Sequence, residues 1–303
     1  MSLQRILLNA WLRRMVKGSP SVPLDPAMVR QRVQWVMRMA PPLPRTVVVH
    51  PAPRSGRLCP ADWVEGPVTE RTLLYLHGGG YFFGSPETHR QICARLGLLT
   101  RSRVLVPDYR LAPEHPFPAA VDDALSWYRT LLEQGVKPGR LLVAGDSAGG
   151  GLALSLLVAA RAAGLPMPAC AVAFSPWTDL SMSGKSVRVC AESDVMFHAH
   201  WLEQAAAWYL AGHDARATPL ASPLFADLQG LPPLLVFASA HEMLRDDATR
   251  LVTRALEAGV EATLHLEPHM VHAWPALFAK LPESKRTLRQ AADFMMRHTQ
   301  GAF

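Results

Sequence analysis

The chain predicts an α/β fold with a mostly parallel central sheet flanked by helices, on three observations. Six short apolar runs recur through the second to last fifths of the sequence, at residues 73–76, 104–106, 141–144, 171–174, 234–238 and 262–266. They are nearly continuous rather than alternating, which is the pattern of strands covered on both faces. Helical patterns stand between them, around 88–99, 118–132, 148–163, 246–258 and 284–297, and strand–helix alternation builds parallel sheets. With 303 residues, 49% of them hydrophobic, the chain can bury one large core.

Before the first strand, residues 3–16 read as an amphipathic helix with Leu3, Leu7, Trp11 and Met15 on one side. Arg13 and Arg14 interrupt what would be the apolar core of a signal peptide. A second helix should begin at Asp25, an N-cap followed by Pro26 at the first helical position. Val29, Val33, Val36 and Ala40 give it an apolar stripe, and Pro41-Pro42 ends it. A polar, Pro-rich stretch without strands is expected from there to about Gly66. Between residues 181 and 223 the strand rhythm stops and a helical run appears around 200–211, so this segment reads as an insertion.

The net charge of +6 raises nucleic acid as a partner, but its placement argues against it. Arg5, Arg13, Arg14, Lys17, Arg30, Arg32 and Arg38 face only Asp25 within residues 1–40, which leaves the remaining body neutral. There is no run of like charges and no nucleic-acid-binding motif. No apolar run is long enough to span a membrane. Cys59, Cys93, Cys170 and Cys190 form no C-x-x-C pair and read as buried free thiols of a reducing, cytoplasmic compartment.

Ligands of such sheets bind at the carboxyl ends of the strands, so the residues after each strand carry the chemistry. After 141–144 comes Gly145-Asp146-Ser147-Ala148-Gly149-Gly150, a G-x-S-x-G turn between strand and helix. Such a turn lifts a strained serine above the sheet and starts a helix whose positive end faces developing negative charge. Ser147 is the candidate nucleophile. After 73–76 comes His77-Gly78-Gly79-Gly80, where bare backbone can approach a substrate oxygen. The N–H groups of Gly79, Gly80 and Ala148 are the candidate oxyanion donors, each worth roughly 3–4 kcal/mol of barrier. The glycines lack the Gly-Lys-Ser/Thr ending of a phosphate loop.

A serine hydroxyl needs a base, and the base a carboxylate that fixes its tautomer. Of 12 histidines, His272 follows the last strand, with His269 as the nearest rival. The acid should follow 234–238, where Glu242, Asp246 and Asp247 all stand. Asp246 also reads as a helix N-cap, and Glu242 lies closer to the strand end.

HGGGYFFGS (77–85), PDYRLAPEHPFPAAVDD (107–123), GDSAGG (145–150), SPWTDL (175–180) and the acid and histidine segments together resemble the bacterial hormone-sensitive-lipase-like esterases. The resemblance covers about residues 73–274. It implies an α/β-hydrolase core over residues 46–303, with a helical cap made of residues 1–45 and the insertion at about 181–223. It also implies hydrolysis of short- to medium-chain carboxylic esters by Ser147, His272 and Glu242, without cofactor or metal. The family usually has Asp-Pro-Leu where this chain has Glu242-Met243-Leu244, and Gly-Phe where it has Ala273-Trp274. The larger indole of Trp274 is expected to narrow the site. Phe82, Phe83, Trp201 and Leu244 are the expected substrate lining, with Tyr81, Met196 and Phe197 nearby.

Three other readings share parts of this pattern. An amidase, peptidase or acyltransferase would use the same triad. A non-catalytic ligand-binding protein of this fold would lack the histidine that is present here. A membrane-attached lipase would use the basic N-terminal helix as an anchor. The expected partner is a small ester, with a homodimer through an edge strand as a family possibility and no stable membrane insertion.

Overall fold

The computed structural model describes residues 9–17, 24–38, 40–54, 56, 58–278 and 281–299. Leu3 and Leu7 of the N-terminal reading lie outside them, as does the Met15 side chain. Residues 9–12 are helical, and Arg13–Lys17 winds as a wider π-helical turn. The face expected there is corrected: Trp11 is 54% exposed and Leu12 is buried. A register based on 3.6 residues per turn does not carry through a π turn.

Helix α1 (Pro26–Arg38) starts where expected. Asp25 Oδ1 accepts from the N–H groups of Ala27 and Met28 at 2.8 and 3.1 Å, satisfying two donors of the first turn. Its inward stripe is Val29, Val33 and Met37, all half-buried, while Val36 points to solvent.

Eight strands form one sheet among the described residues: β1 (Val48–Pro51), β2 (Ala61–Glu65), β3 (Arg71–Leu76), β4 (Ser102–Pro107), β5 (Leu141–Asp146), β6 (Cys170–Phe174), β7 (Leu234–Ser239) and β8 (Ala262–Glu267). Their order is β1-β2-β4-β3-β5-β6-β7-β8. From β4 to β8 every pair is parallel, while β1/β2 and β2/β4 are antiparallel. The stretch expected to be strandless therefore carries two strands. β1 and β2 pair with each other and extend the sheet, so tertiary pairing overrides a composition rich in Pro and charge.

The helices α2 (Pro86–Thr100), α3 (Ala119–Glu133), α4 (Ala148–Ala162), α5 (Ser186–Val189), α6 (Ala199–Leu210), α7 (Arg245–Glu257), α8 (Trp274–Leu277) and α9 (Pro282–His298) complete the chain. Two apolar cores fill the two faces of the sheet. Leu74, Leu76, Val143 and Val236 point to one core, with α3, α4 and α7. Leu73, Tyr75, Leu142 and Leu235 point to the other, with α2 and α9. This is the period-two alternation of a sheet covered on both sides.

The N-terminal segment is tied to the helical insertion. Lys17 Nζ donates to the carbonyls of Ala191 and Asp194 at 2.6 and 2.7 Å. Gln204 on α6 exchanges hydrogen bonds with both backbone groups of Leu24. Arg30 on α1 reaches the sheet side: its guanidinium donates to the carbonyls of Phe82 and Ala112 and to both oxygens of Glu114.

Candidate active site

Ser147 sits at the corner where β5 turns into α4, with φ 54° and ψ −124°. A non-glycine residue held at positive φ stores strain that the surroundings must impose. They do so through three bonds. Ser147 N–H donates to Phe174 O at 2.9 Å, and its carbonyl accepts from Trp177 and Gly151. The turn closes only because its flanks lack a Cβ. A Cβ at Gly145 would strike the Gly149 carbonyl, and one at Gly149 would strike the carbonyls of Leu76 and His77.

The loop after β3 carries consecutive positive φ values at Gly79, Gly80 and Tyr81. A Cβ at Gly79 would enter the Phe83 carbonyl. Gly78 N–H is committed to Asp146 Oδ1 at 3.1 Å, and the Gly79 carbonyl accepts from Phe82 and Phe83. The N–H groups of Gly79 and Gly80 have no such partner among the described residues. Ala148 N–H, first of α4, is an orphan donor by its place in the helix.

His77 is buried and stacks on Tyr109 with ring centroids 4.1 Å apart. Burial pushes its pKa down to about 3, so it is neutral. Its Nδ1–H donates to Gly78 O at 2.9 Å, and its role is to brace the loop. Asp146 does the same from the other side. It accepts from Tyr75 Oη at 2.8 Å as well as from Gly78. Burial alone pushes its pKa up, but His89 and Tyr75 outweigh this and hold it below the usual carboxylate value.

Glu242 and His272 follow the neighbouring strands β7 and β8 and meet at their ends. Glu242 Oε2 lies 2.6 Å from His272 Nδ1, and Oε1 accepts from Ser239 N–H at 2.7 Å. Both side chains are buried. Burial pushes the His272 pKa down, but Glu242 more than reverses this, with Asp194 and Asp146 adding to it, so the net shift is upward. His272 Nε2 is buried with no hydrogen-bond partner among the described residues. The Ser147–His272 hydrogen bond is therefore not made, as is common before a substrate is bound. The two residues are linked through β6: Phe174 O holds Ser147, and the next residue, Ser175, accepts Ala273 N–H at 3.0 Å.

The other two carboxylates are engaged elsewhere. Asp246 accepts from Ser186 N–H and pairs with Arg245, and Asp247 accepts from the N–H groups of Thr178 and Asp179. His269 stacks on His241 at 5.9 Å, and the Glu242 carboxylate bonds to His272 rather than to it.

The expected lining divides. Phe82 lies edge-on to Phe83 and Trp208, directly after the glycine loop. Tyr81 is fully buried and stacks on Tyr209 at 3.8 Å. Phe197 stands edge-on to the His272 ring at 4.9 Å. Leu244 is buried in the same core as Tyr81, Phe82 and Leu202, while Met196 belongs to the core on the other face. Trp201 packs against His198 and His200. The expectation for Trp274 is corrected. Its ring is 0% exposed and its Nε1 donates to Thr287 on α9, so it fills the core behind the site instead of narrowing it. Its neighbour Ala273, at φ 48°, turns the chain away after His272.

A cavity of about 400 Å³ borders Glu242 and His272 and is also lined by Asn9, Arg13, Asp194, His241 and His269. Among the described residues no cluster of His, Cys, Asp and Glu is placed to hold a metal ion. No described helix is long and apolar enough to cross a membrane. The sequence reading missed Ser239, Ser175, Arg30 and Asp194. Ser239 lies three residues from Glu242 but acts through its backbone N–H, which its residue type does not signal, while Ser175, Arg30 and Asp194 act through contacts distant in the chain.

A family model described as alpha/beta hydrolase fold matches residues 73–276. An acetyl-hydrolase of Streptomyces hygroscopicus is 48% identical over 238 residues, covering 78% of this chain and 79% of that protein. An esterase of Acinetobacter venetianus is 32% identical over 283 residues, 93% of each. The crystal structure of an esterase from the bacterial hormone-sensitive lipase family superimposes with a TM-score of 0.91 at 38% identity, covering 99% of each chain.

Proposed function

The chain belongs to the hormone-sensitive-lipase-like family of α/β hydrolases and is a carboxylesterase, and we propose that it hydrolyses short- to medium-chain esters through an acyl-enzyme on Ser147. One observation carries the assignment of roles. The buried Glu242–His272 pair, with Nε2 unpartnered, is tied through the adjacent residues Phe174 and Ser175 to a serine strained into a strand–helix turn.

In this reading Ser147 Oγ attacks the ester carbonyl carbon as His272 Nε2 takes its proton. The C=O π pair moves to oxygen, and the N–H groups of Gly79, Gly80 and Ala148 receive that oxyanion. Glu242 holds the Nδ1–H tautomer and stabilises the imidazolium. The intermediate collapses, the C–O bond to the alcohol breaks, and His272 gives its proton to that alcohol. Water then repeats the sequence on the acyl-enzyme and returns Ser147. The edge-to-face group of Phe82, Phe83 and Trp208 crowds the glycine loop and suits short acyl groups.

The N-terminal helices and the insertion at 181–223 serve as the cap, joined by Lys17 and Gln204. The protein works in the cytoplasm on small esters. Two copies would pair through β8, the parallel edge of the sheet, and light scattering of the purified protein tests that.

The test of the activity is hydrolysis of nitrophenyl esters from acetate to palmitate by the wild type and Ser147→Ala. Turnover should peak at short or medium chains and vanish in the variant. Full activity in the variant would refute the nucleophile. Turnover of matched amides but no esters would instead make the triad an amidase.

A further inference from the structure

Asp194 lies in the insertion, away from every motif, yet its carboxylate meets two separate segments of the site. Oδ2 accepts from the N–H of Met243, the residue after Glu242, at 2.9 Å. Oδ1 accepts from the N–H groups of Met196 and Phe197 at 2.8 and 3.2 Å. Phe197 is the residue whose ring edge covers His272. The Asp194 backbone is anchored as well, its N–H to Cys190 O and its carbonyl to Lys17 Nζ. One side chain thus joins the cap, the acid's loop and the aromatic cover of the base.

Its electrostatic setting is unusual. Asp194 is buried, and no cation pairs with its carboxylate among the described residues. Backbone dipoles alone hold it, and a buried charge so held is costly unless it serves a nearby positive charge. Burial raises its pKa, and the Met243 and Met196 N–H groups pull it only part of the way back, so the net shift is upward. The cavity wall it shares with Glu242 and His272 puts it within electrostatic reach of the imidazole.

We infer that Asp194 is a positioning residue: a second carboxylate, carried by the cap, that fixes Glu242's loop and Phe197 against His272 and stabilises the imidazolium formed in each acyl-transfer step. The catalytic part of this rests on the esterase reading above. The charged groups facing His272 are then Glu242 after β7, Asp146 at the end of β5 and Asp194 from the cap. Arg13, His241 and His269 border the same cavity.

The test is the titration of His272 followed by NMR in labelled protein, its signal assigned by loss in His272→Gln. Removing the charge with Asp194→Asn should lower the midpoint by about half to one pH unit. On nitrophenyl butyrate, kcat should fall about tenfold while KM changes less than about twofold. Ser193→Ala, which loosens the same segment by releasing Cys190 O and His241 O, should leave the midpoint in place. If Asp194→Asn does not fold, Asp194→Ser leaves room for a water and carries the same expectation. An unmoved midpoint, or an unchanged kcat, overturns the inference. If the wild type cleaves no ester, the esterase reading fails, and the midpoint alone still judges the electrostatic role of Asp194.

Discussion

Glu242 and His272 meet at 2.6 Å across the ends of two adjacent parallel strands, and the second oxygen of Glu242 is held by Ser239 N–H at the end of β7. The extra methylene of glutamate relative to aspartate is thereby taken up within one tight turn. The carboxylate is fixed at both oxygens before any substrate arrives.

Glu242→Gln should keep the shape and lose the function. The amide would present either a donor to Nδ1–H or an oxygen without charge, so the tautomer is no longer secured. A fall in kcat of about 10³–10⁴-fold is expected on a short nitrophenyl ester. A loss below tenfold would return the acid role to another carboxylate.

The pH profile follows from His272. Its pKa lies above the ordinary imidazole value of 6.5, because Glu242 outweighs burial. Catalysis needs the neutral ring, so kcat/KM should fall as pH drops through that raised value and level off above it. The limb's midpoint should therefore stand above 6.5, measured between pH 5 and 9. A flat profile would exclude His272 as the base.

Asp247 predicts a stability change of the opposite sign to most carboxylates. Burial, together with Asp179, pushes its pKa up to about 8, against 3.8 for the free group. Between those values the folded state binds a proton that the unfolded chain does not, so this group's contribution is full below 3.8 and is lost as pH rises towards 8. Asp247→Asn keeps an acceptor for Thr178 and Asp179 and should flatten the fall in Tm between pH 5 and 8. A Tm profile identical to the wild type would contradict the assignment.

Arg30 and Glu114 should not be equivalent. Their ion pair is largely exposed, and such pairs contribute about 0–1 kcal/mol. Arg30 also holds the carbonyls of Phe82 and Ala112, beside the glycine loop. Arg30→Met should therefore lower kcat severalfold, while Glu114→Gln changes it little. Equal effects would mean that the ion pair, not the carbonyl contacts, docks the cap helix.

Much of the fold was legible because its signals are local. β3 to β7 are apolar runs such as Leu-Leu-Tyr-Leu and Leu-Leu-Val-Phe-Ala, which declare themselves as buried strands, whereas β8, Ala-Thr-Leu-His-Leu-Glu, is an edge strand whose side chains are at most half-buried. β1 and β2 were not. Val-Val-His-Pro and Ala-Asp-Trp-Val-Glu mix Pro and charge, and they become strands only by pairing with each other and with β4. Trp274 shows the reverse error. Its nearness to His272 in sequence suggested a pocket wall, but the positive φ at Ala273 turns its ring into the core.

By itself the sequence determined the α/β alternation, the Ser147 turn, the glycine loop and the histidine after the last strand. Each depends on residue types a few positions apart, where sterics and backbone conformation act. Only the tertiary structure decided that Glu242 faces His272 while Asp246 and Asp247 bind other partners. It alone brought Asp194 to the site. The physical reason is that three carboxylates within six residues are chemically alike. Which one meets an imidazole 30 residues on is set by the packing of strand ends, not by local sequence.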